Sequence, residues 1–61
     1  MLQKIETSLK NAKETAIVMS KAQGYAAIIL SMGKYYIEDE MPFIRNGEKL
    51  IGHYQKGKAV K

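Results

Sequence analysis

The chain has no cysteine and no tryptophan, and it holds one proline, one phenylalanine and one histidine in 61 residues. Each absence removes a class of function. Without thiols there is no disulfide, no thiolate metal site and no thiol nucleophile. One histidine and no cysteine cannot build a structural zinc site, and no cofactor is expected. A domain this small buries only about 60% of the surface that its unfolded chain exposes. Small scaffolds usually need a staple. With covalent and metal staples excluded, self-association remains. A homo-oligomer, dimer or higher, is therefore expected.

Long apolar runs are also missing. The longest, Tyr25 to Leu30, falls far short of the roughly 20 residues that span a bilayer. The opening MLQKIETSLKNAKE is polar and carries acids, unlike a secretory signal. The lack of cysteine fits a reducing compartment. The sequence reads as a cytoplasmic protein with no membrane partner.

Catalytic patterns are absent too. The five glycines form no G-x-G-x-x-G and no P-loop. Gly52-His-Tyr-Gln-Lys-Gly57 lacks the following helix that a phosphate loop needs. Ser8, Ser20, Ser31, His53 and Asp39 include the residue types of a hydrolytic triad, but nothing resembles a nucleophile elbow. Arg45, His53, Tyr54 and Lys56 are types used by small ribonucleases, on a scaffold too short to preorganise them. The triplet Glu38-Asp39-Glu40 could place two carboxylates about 7 Å apart on one strand face. It reads more simply as a charged strand end that blunts an edge. The expectation is a protein that binds and does not catalyse.

What is present is a patterned small domain. Leu2, Ile5, Leu9 and Ala12 recur at helical spacing, which predicts an amphipathic helix over 2–14. The same spacing continues through Ala16 and Met19, so one helix over 2–22 is the alternative. The β-branched cluster at Thr15-Ala-Ile-Val argues instead for a strand through Lys21. After Gln23-Gly24, Tyr25–Ser31 reads as a strand covered on both faces. Met32-Gly33 is the next turn. Lys34–Glu40 alternates, with Tyr35, Ile37 and Asp39 on one face and Tyr36 and Glu38 on the other. Phe43-Ile44-Arg45 and Glu48-Lys49-Leu50-Ile51 flank Asn46-Gly47, the strongest short hairpin signal. That hairpin would set Arg45 opposite Glu48 and Phe43 opposite Leu50. Residues 57–61 read as a frayed tail. The predicted fold is α+β: a single small domain over 1–61, with an N-terminal helix packed on an antiparallel β-meander of three to five strands lying within 15–56.

Charge is unevenly spread. Residues 1–24 carry +2, residues 25–48 carry −2, and residues 49–61 carry +4, which together make the net +4. The basic last third interleaves aromatics. Tyr35, Arg45, Lys49, His53, Tyr54 and Lys56 are the candidate ligand-binding residues. Lysines would neutralise phosphates and tyrosine rings would stack on bases. That combination points to an anionic ligand, nucleic acid or nucleotide. The plainer reading puts the tyrosines in the core and leaves the lysines for solubility. The alternative function is an inhibitor or adaptor of the phage or mobile-element kind, which occupies a protein partner. Tyr36, Phe43 and Ile51 would then be the sensitive positions.

Overall fold

The computed structural model describes residues 2–60. It contains β1 (Gln3–Glu6), α1 (Leu9–Gln23), β2 (Tyr25–Ser31), β3 (Lys34–Glu38), β4 (Glu48–Gln55) and β5 (Lys58–Val60). The five strands form one sheet in the order β1-β3-β2-β4-β5, and every neighbouring pair is antiparallel. One helix packs across one face. The α+β class holds, but the connections do not follow a meander.

The predicted helix over 2–14 is wrong at both ends. Ser8 is the N-cap: its backbone is extended, and its hydroxyl accepts from the Asn11 amide at 3.2 Å. A cap there separates the apolar residues before it from those after it. Leu2 precedes β1, and Ile5 lies within it. The predicted strand after Glu14 is helix instead, and α1 runs to Gln23 before Gly24 closes it in the left-handed region at φ 92°. Propensity yields to packing here. Ala12, Ala16, Met19 and Ser20 form a buried stripe at helical spacing, while Val18 points to solvent. The small alanines let α1 settle closely on the sheet, over Ala26, Ile28 and Ile37.

β2 is the central strand and is buried on both sides, as its continuous apolar sequence suggests. Ala26 and Ile28 join the core under α1. In β4 the register shifts between Ile28 and Ile29, so Ile51 and Gly52 together oppose Ile28. This bulge turns Ile51 onto the helix side, where it packs against the core.

Two crossovers explain the strand order. β1 and β2 flank β3 and are parallel, with α1 as their connection. β3 and β4 flank β2 and are also parallel, and residues 39–47 connect them. The second pair points the opposite way along the sheet. With the same right-handed preference, its connection belongs on the face away from the helix. It starts near the Tyr25 end of β2 and finishes beside Ser31. On the face it crosses, Ala27 and Ile29 are 0% and 4% exposed.

The Asn46-Gly47 hairpin therefore does not form. Arg45 to Glu48 is a tight turn, with the Glu48 amide donating to the Arg45 carbonyl at 3.0 Å. Only Gly47 has positive φ there, whereas the two-residue type I′ hairpin turn needs it at both central residues. Phe43–Arg45 is not a strand, and both sides of β4 are already taken by β2 and β5. Leu50 pairs with Ile29, and Glu48 with Ser31.

The real hairpins turn at Met32-Gly33 and Lys56-Gly57. Both residues of each pair have positive φ, with Met32 at 51° and Lys56 at 50°. The expected frayed tail is a correction as well. Gly57 completes the second turn, and Lys58–Val60 pair with His53–Gln55; Lys61 lies outside the described residues. Strands thus extend beyond 15–56 on both sides. No helix among the described residues is long and apolar enough to cross a membrane.

Candidate binding surfaces

Cross-strand partners share a face, so the register sorts the candidate residues. Tyr35, Lys49 and Tyr54 pair with Leu30, Leu30 and Ala26, on the helix side. Tyr35 and Tyr54 pack against the core. His53 pairs with Ala27, on the opposite side. Arg45 lies in the turn near Ser31, while Lys56 lies in the turn beyond Gln55, at the other end of the sheet. The six residues do not converge on one surface.

Lys56 does gain a basic neighbour from another element. Gly57 lies under Lys21: a Cβ there would meet the Lys21 Cε at 2.6 Å. The Gly57 amide donates to the buried Ser20 hydroxyl at 2.8 Å. This contact brings the Lys56-Gly57 turn beside Lys21, while Lys58, paired with Gln55 on the Tyr25 side, faces away from the helix. Lys21 comes from a segment far away in sequence, so no local pattern could have found it.

Two members of the acidic triplet have structural work. Asp39 accepts from the Leu2 amide at 3.0 Å. The Gln3 side chain donates to Glu38 at 3.4 Å. Among the described residues, no three His, Cys, Asp or Glu side chains gather to hold a metal ion.

The other distinctive surface is the 39–47 crossover. Tyr25 and His53 stand side by side beneath it, with ring centroids 5.9 Å apart in an edge-on arrangement. The Tyr25 hydroxyl lies 3.2 Å from His53 Nδ1 and 3.4 Å from the Met41 sulfur. At the far end the Arg45 amide donates to the Glu48 carboxylate at 2.8 Å. Pinned at both ends, the arch carries apolar side chains outward. Phe43 is 84% exposed, Met41 62% and Ile44 38%. Phe43 was expected at such a surface. Ile51 was expected too, but it packs on the core; Tyr36 is half-buried on the arch side of the sheet. Met41 and Ile44 were missed, although the apolar run Met41-Pro-Phe-Ile44 without alternation is a legible signal.

Burial raises the Tyr25 hydroxyl above its ordinary 10.0. The folded state therefore holds this proton more tightly than the unfolded chain. The stability it contributes is complete below about pH 10 and falls as pH rises through the folded value. Alkaline titration followed by tyrosinate absorbance should show a late step from Tyr25, with the arch loosening in parallel. Tyr25→Phe should remove that late step.

Compared with known proteins, the chain matches no family model, no curated protein and no solved structure.

Proposed function

We propose that this is a small non-enzymatic binding protein that acts by occupying a protein partner. The observation that carries the reading is the arch. Three large apolar side chains, led by Phe43, are presented to solvent on a segment fastened at both ends. An aromatic anchor amid apolar neighbours on a fixed frame suits a protein hot spot, because little ordering cost remains on binding.

The test is quantitative capture from the native cells with immobilised protein, followed by affinity measurement on the protein retained. Phe43→Asp should weaken that binding by about tenfold or more, with little dependence on salt. Lys56→Glu should leave it unchanged. Equal binding by the Phe43→Asp variant defeats the reading.

The Lys56-Gly57 turn, packed under Lys21, favours a second reading, an anionic ligand such as nucleic acid or nucleotide. On that reading affinity falls steeply with added salt, and Lys56→Glu, not Phe43→Asp, is the damaging change.

A further inference from the structure

The sheet has two outer strands, and they differ in what they offer. β5 is three residues long and follows Lys56, with Lys58 in the strand itself. Lysines on a short edge discourage pairing. β1 is different. Its only sheet neighbour among the described residues is β3. Beside it, between β1 and α1, runs an open groove of about 300 Å³ lined by Leu2, Lys4, Val18, Met19 and Ala22. Val18 on the groove's helix wall is 65% exposed, and Ile5 on the other side of the strand is 54% exposed.

The hydrogen-bond phase of β1 is set by its first contact. The Asp39 amide donates to the Leu2 carbonyl at 3.2 Å. Antiparallel pairing alternates. Leu2, Lys4 and Glu6 therefore spend their backbone groups on β3, and Gln3 and Ile5 turn theirs to the open edge. A strand joining this edge must use the amides and carbonyls of Gln3 and Ile5.

We infer that the occupant is β1 of a second copy, running antiparallel about a twofold axis through Ile5. The charges select this register, in which Ile5 exchanges its backbone bonds with the partner's Ile5 and Gln3 faces the partner's Thr7, just past β1. Centred on Ile5, pairing sets Lys4 opposite the partner's Glu6 and Glu6 opposite the partner's Lys4, on the helix side. Ile5 meets the partner's Ile5 on the other side. Sliding the axis to residue 4 sets lysine against lysine, and sliding it to residue 6 sets glutamate against glutamate. Like charges directly opposite are unfavourable, and opposite charges favourable. Glu6 is already oriented, since its carboxylate accepts from the Thr15 hydroxyl on α1 at 2.9 Å. The joined sheet would have ten strands, twice the five of one chain. Its two helices would lie on one face, and the two grooves would close against each other's strand. The surface lies apart from the Met41–Ile44 arch, so this inference stands independently of the protein partner above.

The test uses charge swaps and mixing, read by sedimentation velocity and native mass spectrometry. Wild type should be a dimer. Lys4→Glu makes the edge wholly acidic, and Glu6→Lys makes it wholly basic. Each alone should raise the dimer dissociation constant by about tenfold or more. Mixed one to one, they should form a heterodimer, because every facing pair is then opposite in sign. Circular dichroism of each variant checks folding, and recovery on mixing shows that both chains remain competent. A third variant, Ile5→Pro, removes an edge-facing amide together with the Ile5 side chain of the seam and should also give monomer. A wild-type monomer at about 100 μM, a concentration where a dimer of moderate affinity (Kd ~1 μM) would be nearly all associated, overturns the inference. So do swap variants that dimerise like wild type, or a mixture that stays monomeric.

Discussion

Ile28→Ala should lower stability by about 2–5 kcal/mol, toward the upper end of what truncating a buried isoleucine costs. Ile28 is fully buried at the middle of the central strand, directly beneath α1. The cost depends on how far neighbours can collapse into the space. Here they cannot. Ala12, Ala16 and Ala26 are already minimal side chains, and Gly52 across the strand has none to offer. A domain of 61 residues has only about 3–9 kcal/mol in total, at 0.05–0.15 kcal/mol per residue. The substitution should therefore leave much of the chain unfolded at room temperature. Urea denaturation at one fixed protein concentration measures this, since self-association would couple stability to concentration. Ile28→Val should cost about 0.5–1.5 kcal/mol, and Phe43→Ala, on the exposed arch, within about 0.5 kcal/mol. Equal losses at Ile28 and Phe43 would show that the core is not organised around β2.

The same central strand was the most legible part of the sequence, and for the same reason. A six-residue apolar run between glycine turns leaves few options, and Tyr25–Ser31 is β2. The alternation of Tyr35, Tyr36, Ile37 and Glu38 was equally direct. The helix was harder to place because its boundaries depend on tertiary contacts. Leu2, Ile5 and Leu9 are spaced like one helical face, yet Ser8 caps α1 between them. Thr15, Ile17 and Val18 favour a strand locally, yet the stripe Ala12, Ala16, Met19 and Ser20 is what the sheet can bury. Asn46-Gly47 misled because a turn dipeptide reports local geometry only. It cannot report that both sides of β4 are occupied by segments distant in sequence. Both hairpins instead use Met32 and Lys56, residues with no special ease at positive φ. The candidate surface was legible only in its single most exposed member, Phe43. Clustering Tyr35, Arg45, Lys49, His53, Tyr54 and Lys56 by sequence proximity ignored the alternation of faces that separates them.

Ser20→Ala should cost about 1–3 kcal/mol, the range for leaving a buried donor without its partner. Nothing in the sequence marks this serine, which sits late in a helix where its side chain could have faced solvent. In the fold it is fully buried. Its hydroxyl donates to the Ile17 carbonyl at 2.9 Å and accepts from the Gly57 amide at 2.8 Å. Both roles of one hydroxyl are used, so alanine strands the Gly57 amide and removes the hydrogen bond that ties α1 to the β4–β5 turn. The loss should be local before it is global. β5 is three residues long and pairs only with β4, so it depends on the turn being held. Hydrogen exchange should speed up at Gly57 and at the β5 amides that pair with β4, while β2 and β3 keep their protection until global unfolding. If the Lys21–Lys56 surface binds an anion, Ser20→Ala should weaken that binding with both lysines still in place, because the turn that carries Lys56 would no longer be held against Lys21. Unchanged exchange at Gly57 would mean that the packing of the Lys21 stem over Gly57, and not the serine hydroxyl, latches the turn.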